Sequence, residues 1–121
     1  MTSNILISDD SVSMRQMLKF TLTQAHYQVA EADNGQAALA RAKQQPFDLV
    51  ITDVNMPKLD GLSLVRELRT LPEYKFKPIL LLTTESNPQK KQEAKEAGAT
   101  GWILKPFDPD KLLAAVRKVL R

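Results

Sequence analysis

Short apolar runs recur along the chain, separated by stretches with helical periodicity. The runs are Ile5-Leu6-Ile7, Val29-Ala30, Leu49 to Thr52, Ile79 to Thr83 and Trp102-Ile103-Leu104. Their brevity and β-branched content predict strands, and an almost unbroken apolar run such as Leu49 to Thr52 suits a strand buried on both faces. Between them, Ser11 or Ser13 can cap a first helix that turns Met14, Met17, Leu18, Thr21 and Leu22 inward. Asn34 can cap a second containing Ala37, Ala38, Leu39 and Ala42, while Leu62, Leu64, Val65 and Leu68 line a third. Leu112, Leu113, Val116, Val119 and Leu120 line a fifth. The fourth helix, around Pro88 to Ala97, has only alanine as apolar content in QKKQEAKEA, so it should pack lightly and move readily. Pro88 suits its first turn and Gly98 its C-terminal cap. Strands alternating with helices predict an α/β domain of five βα units on a parallel sheet, spanning residues 1–121.

Bulk properties narrow the setting. A chain of 121 residues suffices for one sizeable core, and 43% hydrophobic with 26% charged residues is a globular composition. No apolar run approaches the roughly 18 residues of a membrane span, and residues 1–10 lack a signal-peptide pattern. With no cysteine there is neither a disulfide framework nor a thiolate metal site, which fits a reducing cytoplasm. The net charge of +3 is uneven: seven basic and eight acidic residues up to position 70, then ten basic and six acidic. Interleaved acids (Glu93, Glu96, Asp108, Asp110) and the lack of any helix-turn-helix, zinc-finger or basic-aromatic pattern favour a solvated surface over a nucleic-acid site.

The polar residues at strand ends matter more. Asp9-Asp10 follow the first strand, Asp53 the third with Asn55 two residues on, Thr83-Thr84-Glu85 the fourth, and Lys105-Pro106 the fifth. In an open parallel sheet, ligands bind outside the carboxyl ends of the strands, so these groups should converge on one edge. Singly each has a plainer explanation: an Asp pair before a helix is usually a cap, and a Thr ending a strand reflects β-propensity. Their convergence is the informative feature. Three carboxylates repel one another and call for a counter-charge. A hard divalent cation with oxygen ligands supplies it, and Mg²⁺ suits few protein ligands better than Ca²⁺ does. An EF-hand reading of DVNMPKLDG fails because Pro57 and Lys58 fill its fifth and sixth positions. Such a site suits phosphoryl transfer. Asp53 would attack phosphorus to form an acyl phosphate, Mg²⁺ and Lys105 would hold two oxygens, and Thr83 would hold the third.

The motifs ISDDS (7–11), TDVNMPKLDG (52–61), LLTTES (81–86) and GWILKPF (101–107) resemble those of the receiver domains of two-component response regulators, over essentially the whole chain. The similarity extends to single-domain chemotaxis regulators of the CheY type. It implies a flavodoxin-like, doubly wound sheet in the order 2-1-3-4-5 with five helices. It also implies that Asp53 accepts a phosphoryl group from a histidine kinase. Asp10, Asp53 and the backbone carbonyl of Asn55 would ligate Mg²⁺, with Asp9 acting through water. Lys105 would contact the phosphoryl group, with a cis bond to Pro106. Asn55 and Glu85 would tune acyl-phosphate hydrolysis. Phosphorylation would draw in the Thr83 hydroxyl, let the ring at Trp102 turn inward, and change the face built from the fourth helix, fifth strand and fifth helix. The implied partners are a kinase of the chemotaxis type and a protein target such as a flagellar motor switch, with the chain acting as a monomer rather than an enzyme.

Three positions depart from that pattern: Trp102 where Tyr is common, Thr84 where Ala is frequent, and Ser8 where an apolar residue usually precedes the acids. Trp102 can also be read as a fixed, half-buried anchor. His26 is expected to compensate a helix dipole, and Met14 and Met56 to fill the core. One rival function is a haloacid-dehalogenase-like phosphatase, which also uses a strand-end Asp, Mg²⁺, a hydroxyl and a Lys. It needs a second acid two residues after the nucleophile, where this chain has Asn55. The other is the receiver part of a DNA-binding regulator; the end at Arg121, just past the fifth helix, leads us to expect a stand-alone domain instead.

Overall fold

The structure, a computed structural model, describes residues 3–84 and 88–120. Each apolar run forms a strand: β1 Asn4–Ser8, β2 Gln28–Ala32, β3 Leu49–Asp53, β4 Ile79–Thr83 and β5 Gly101–Leu104. The intervening helices are α1 Val12–Gln24, α2 Gly35–Gln44, α3 Gly61–Arg69, α4 Pro88–Ala97 and α5 Pro109–Leu120. All neighbouring strands pair in parallel, in the order β2-β1-β3-β4-β5, which is the flavodoxin-like arrangement expected. The Lys105–Pro106 bond is cis.

Strand side chains alternate between faces, and both faces are covered. Leu6, Val50, Ile79 and Leu81 join α2, α3 and α4 in one core, with Phe47 and Tyr74 beneath. Ile5, Ile7, Leu49, Ile51, Leu80 and Leu82 meet Leu18 and Leu22 of α1 and Leu112 and Val116 of α5 on the other. β3 and β4 are buried along their whole length, as their uninterrupted apolar runs require. Among the described helices, none is long and apolar enough to cross a membrane.

Two N-caps, Ser11 and Asn34, fall at residues the sequence offered, and Asp60 adds a third at the start of α3. Ser11 accepts from the Met14 N–H at 3.2 Å, Asn34 from Ala37 at 2.8 Å, and Asp60 from Ser63 at 2.8 Å. Gly98 closes α4 with φ 105, its N–H donating to Lys95 and that of Ala99 to Ala94. As its sequence suggests, α4 buries only Ala94 and Ala97.

Three local features differ from expectation. Met17 is 51% exposed, because α1 turns only a narrow stripe centred on Leu18 and Leu22 to the sheet and Met17 falls off its edge. A 3-10 turn over Pro72–Tyr74 precedes β4 and buries the Tyr74 hydroxyl against the carbonyls of Ala42 and Gln45. His26 lies beyond the last turn of α1 and adopts φ 71. The N–H groups of His26 and Tyr27 bond the carbonyls of Thr23 and Leu22, the left-handed closure that glycine usually supplies. Backbone conformation rather than dipole compensation therefore defines this position. His26→Gly is expected to stabilise the fold by about 0.5–1 kcal/mol, with relief of left-handed strain partly offset by glycine's unfolded-state entropy. A urea midpoint equal to or below the wild type would refute that account.

Candidate functional site

Parallel strands bring their carboxyl ends to one edge, and that edge collects the polar residues. Asp9 follows β1, Asp53 ends β3, Thr83 ends β4 and Lys105 follows β5. Buried ladder bonds set their depth: the Asp9 N–H donates to Ala32, Val54 to Leu82, and Lys105 to Thr83. Asp9 is fully buried, and Asp53 and Thr83 nearly so.

The Lys105 ammonium bridges two of these acids. Its Nζ lies 3.1 Å from Oδ2 of Asp9 and 3.1 Å from Oδ1 of Asp53. Burial works against the charged ammonium, but hydrogen bonds with both carboxylates outweigh it and push the Lys105 pKa up. Burial raises the pKa of Asp53 and the charge of Asp9 adds to the rise, so the pull of Lys105 and the Asn55 backbone only partly offsets it. One ammonium thus serves two buried acids and leaves Asp53 short of counter-charge.

Carboxylate oxygens of Asp9, Asp10 and Asp53 lie within 4.8 Å of one another. With Lys105 present, three ionised carboxylates leave two negative charges, which matches one divalent cation. The donors are all oxygen, and Asp10 is exposed enough for water to complete a coordination shell, so the residues fit Mg²⁺. Asn55, two residues beyond Asp53, has its carbonyl on the same loop.

Neighbouring groups hold the acids. Oδ1 of Asp9 accepts from the Ser11 N–H at 2.9 Å, and Arg15 donates to the Asp9 carbonyl at 2.7 Å while pairing with Glu31. Gly61 opens α3 so close to β3 that a Cβ there would stand 2.2 Å from the Asp53 carbonyl oxygen. Arg15 was not anticipated from sequence; a lone Arg four residues into a helix gives no sign that it reaches back to the preceding turn.

Trp102 faces outward, 38% exposed, with Nζ of Lys91 5.0 Å from its ring centroid. It borders, with Thr83, Val54, Leu62, Leu81 and Ala94, a cavity of about 20 Å³. That is room for about one water and far too little for an indole. Thr84 is exposed. Glu85, the second position expected to tune hydrolysis, lies outside the described residues. Met56 is a partial correction to a purely filling role: it is half-buried against the α2–α3 core, and its sulfur also accepts a hydrogen bond from Ser8.

Comparison with known proteins gives one family. The profile of the response regulator receiver domain matches residues 5–117. The chain is 34% identical to the transcriptional regulatory protein ResD of Bacillus subtilis over 119 residues, 98% of this chain and 48% of ResD. It spans about half the length of the curated relatives it matches. The structure of the chemotaxis response regulator CheY4 of Vibrio cholerae superposes with TM-score 0.96 at 49% identity, covering 99% of this chain and 100% of that one. The receiver domain of the sensor histidine kinase PA1611 of Pseudomonas aeruginosa, solved with a magnesium ion in its active-site cleft, superposes with TM-score 0.92 at 25% identity, covering 99% and 98%.

Proposed function

The chain belongs to the response regulator receiver family, and from that membership we propose that Asp53 is its phosphoacceptor in a Mg²⁺-dependent exchange with a histidine kinase. The observation that carries this reading is the Lys105 ammonium placed 3.1 Å from both the Asp9 and Asp53 carboxylates at the carboxyl edge of the sheet. A carboxylate oxygen of Asp53 attacks phosphorus of the kinase phosphohistidine. The O–P bond forms as the P–N bond breaks, and the electron pair leaves with the imidazole nitrogen. Lys105 then turns from Asp53 to a phosphoryl oxygen, and the Thr83 hydroxyl takes another. Asp10, Asp53 and the Asn55 carbonyl would hold Mg²⁺, with Asp9 reaching it through water; the ion's chemistry is to neutralise the phosphoryl oxygens. Asn55 and, by the family resemblance, Glu85 would tune the later hydrolysis of the acyl phosphate. This is signalling rather than enzymatic turnover of an external substrate, and position 55, an amide, argues against the dehalogenase-like phosphatase.

Phosphorylation changes the α4-β5-α5 face through Thr83 and Trp102. Because the cavity beside Thr83 holds about one water, the Trp102 ring can turn inward only if α4 shifts with it. The light packing of α4, through Ala94 and Ala97, supports such a shift. A chemotaxis role, with a monomeric cytoplasmic chain acting on a protein such as a flagellar motor switch and not on nucleic acid, is supported by 49% identity to CheY4 along the whole chain. The second reading, the receiver half of a transcriptional regulator, is favoured by relatives about twice this length. Either way residues 1–121 act as one receiver domain.

Incubation with acetyl phosphate tests the shared chemistry. A base-labile phosphoryl adduct is expected in Mg²⁺ and not in EDTA, with borohydride reduction marking residue 53. No adduct, or one on another residue, overturns the assignment.

A further inference from the structure

Ser8 ends β1 with its side chain fully buried, at a place where an apolar residue would need no partner. A hydroxyl withdrawn from water must find a hydrogen bond or destabilise the fold. Its partner is a thioether: Oγ of Ser8 lies 3.0 Å from Sδ of Met56. Thr52, opposite Ser8 in the β1–β3 register, places its hydroxyl 3.8 Å from the same sulfur. That hydroxyl has one proton, committed to the Asp53 carbonyl at 3.0 Å, so Ser8 supplies the proton aimed at sulfur. A thioether is a weak acceptor, and the value of the bond lies in direction more than strength.

Met56 directly follows Asn55, so the Asn55 carbonyl belongs to the peptide unit ending at the Met56 nitrogen. On its other side, the Val54 N–H donates to the Leu82 carbonyl at 3.1 Å. The peptide units around Asn55 therefore lie between two anchors, one on β4 and one on β1. Beyond them the loop is exposed at Pro57 and Lys58, and Lys58 takes φ 71. We infer that Met56, gripped by Ser8, is a positioning residue that sets the direction of the Asn55 carbonyl and thereby the affinity of the Asp10–Asp53 site for a divalent cation. This rests on the cation-dependent reading above. A leucine at 56 would fill similar volume in the α2–α3 core but leave the Ser8 hydroxyl unpaired and the loop without its tether to β1.

Met56→Leu, Ser8→Val and the double variant are compared by calorimetric titration with Mg²⁺ and by thermal midpoint in EDTA. Each single variant is expected to bind Mg²⁺ about tenfold more weakly, as loss of an outer-sphere support typically does. The double variant is expected to bind no more weakly than either single one, because both remove the same interaction. Its thermal midpoint should exceed that of Met56→Leu, since no buried hydroxyl is then left unpaired. Variants whose midpoint moves while Mg²⁺ affinity stays at the wild-type value overturn the inference and leave Met56 as packing alone. Additive losses of affinity overturn the pairing. A wild type that binds no Mg²⁺ refutes the functional reading together with the inference, whereas normal wild-type binding with unaffected variants refutes the inference only.

Discussion

Asp53→Asn is expected to lose phosphoryl uptake by roughly a thousandfold or more, while folding more stably than the wild type at pH 7 in metal-free buffer. The loss follows from chemistry. An amide oxygen is a poor nucleophile toward phosphorus, and the other acid 3.1 Å from Lys105, Asp9, is fully buried with its Oδ1 already accepting from the Ser11 N–H. The gain in stability follows from electrostatics. Burial and the neighbouring Asp9 raise the Asp53 pKa in the folded state above the ordinary 3.8. The folded chain therefore favours protonated Asp53 more than the unfolded chain does. Its contribution to stability is fully present below about 3.8 and is lost as pH rises through the raised folded value. The Asn side chain keeps the shape without the charge and removes that decline. Thermal midpoints across pH in EDTA check the second claim and acetyl-phosphate labelling the first. Persistent labelling of the variant removes Asp53 as acceptor; a variant less stable at pH 7 shows that Lys105 compensates the charge better than the geometry indicates.

The opposite effect is expected for Lys105→Met. Removing one partner of a buried charge pair typically costs about 3 kcal/mol or more, because the remaining charge is left uncompensated. Here two buried carboxylates, Asp9 and Asp53, lose the same ammonium. Protonation of Asp53 offers partial relief, so the penalty should be smallest in acid and grow toward neutral pH. Mg²⁺ at a hundred times its dissociation constant should return about 2.7 kcal/mol, by linkage. The wild type carries a further signature. Hydrogen bonds to both acids overcome the effect of burial and raise the Lys105 pKa. The stabilisation by its ammonium is therefore full below the ordinary 10.5 and is lost as pH rises through the folded value. Lys105→Met should lack that alkaline loss. Urea unfolding in EDTA and in Mg²⁺ measures the whole pattern, and a variant as stable as wild type in EDTA would mean that the 3.1 Å contacts contribute little.

Much of this site could be read from strand ends. A parallel sheet delivers every carboxyl terminus to one edge, so Asp9, Asp53, Thr83 and Lys105 had to approach one another once the runs before them were strands. The caps of α1 and α2 were equally legible, since Ser11 and Asn34 act on N–H groups three residues away. Contacts between distant segments were not. Arg69 donates to the carbonyls of Tyr74, Lys77 and Gly98, tying the end of α3 to two turns, yet by sequence it is an ordinary last-turn cation. His26 resembled a charge at a helix end until its φ of 71 placed it in the left-handed closure.

The sequence alone determined the five strands, their helices, the acids and lysine at the strand ends and the light packing of α4, because each follows from local periodicity or from short-range hydrogen bonding. Tertiary structure decided how those parts serve one another. It set one ammonium between two buried acids, left Trp102 outside a cavity too small for it, and turned Ser8 from an odd polar residue into the partner of Met56. These depend on distances between segments far apart in the chain, where packing geometry rather than residue type chooses the partner.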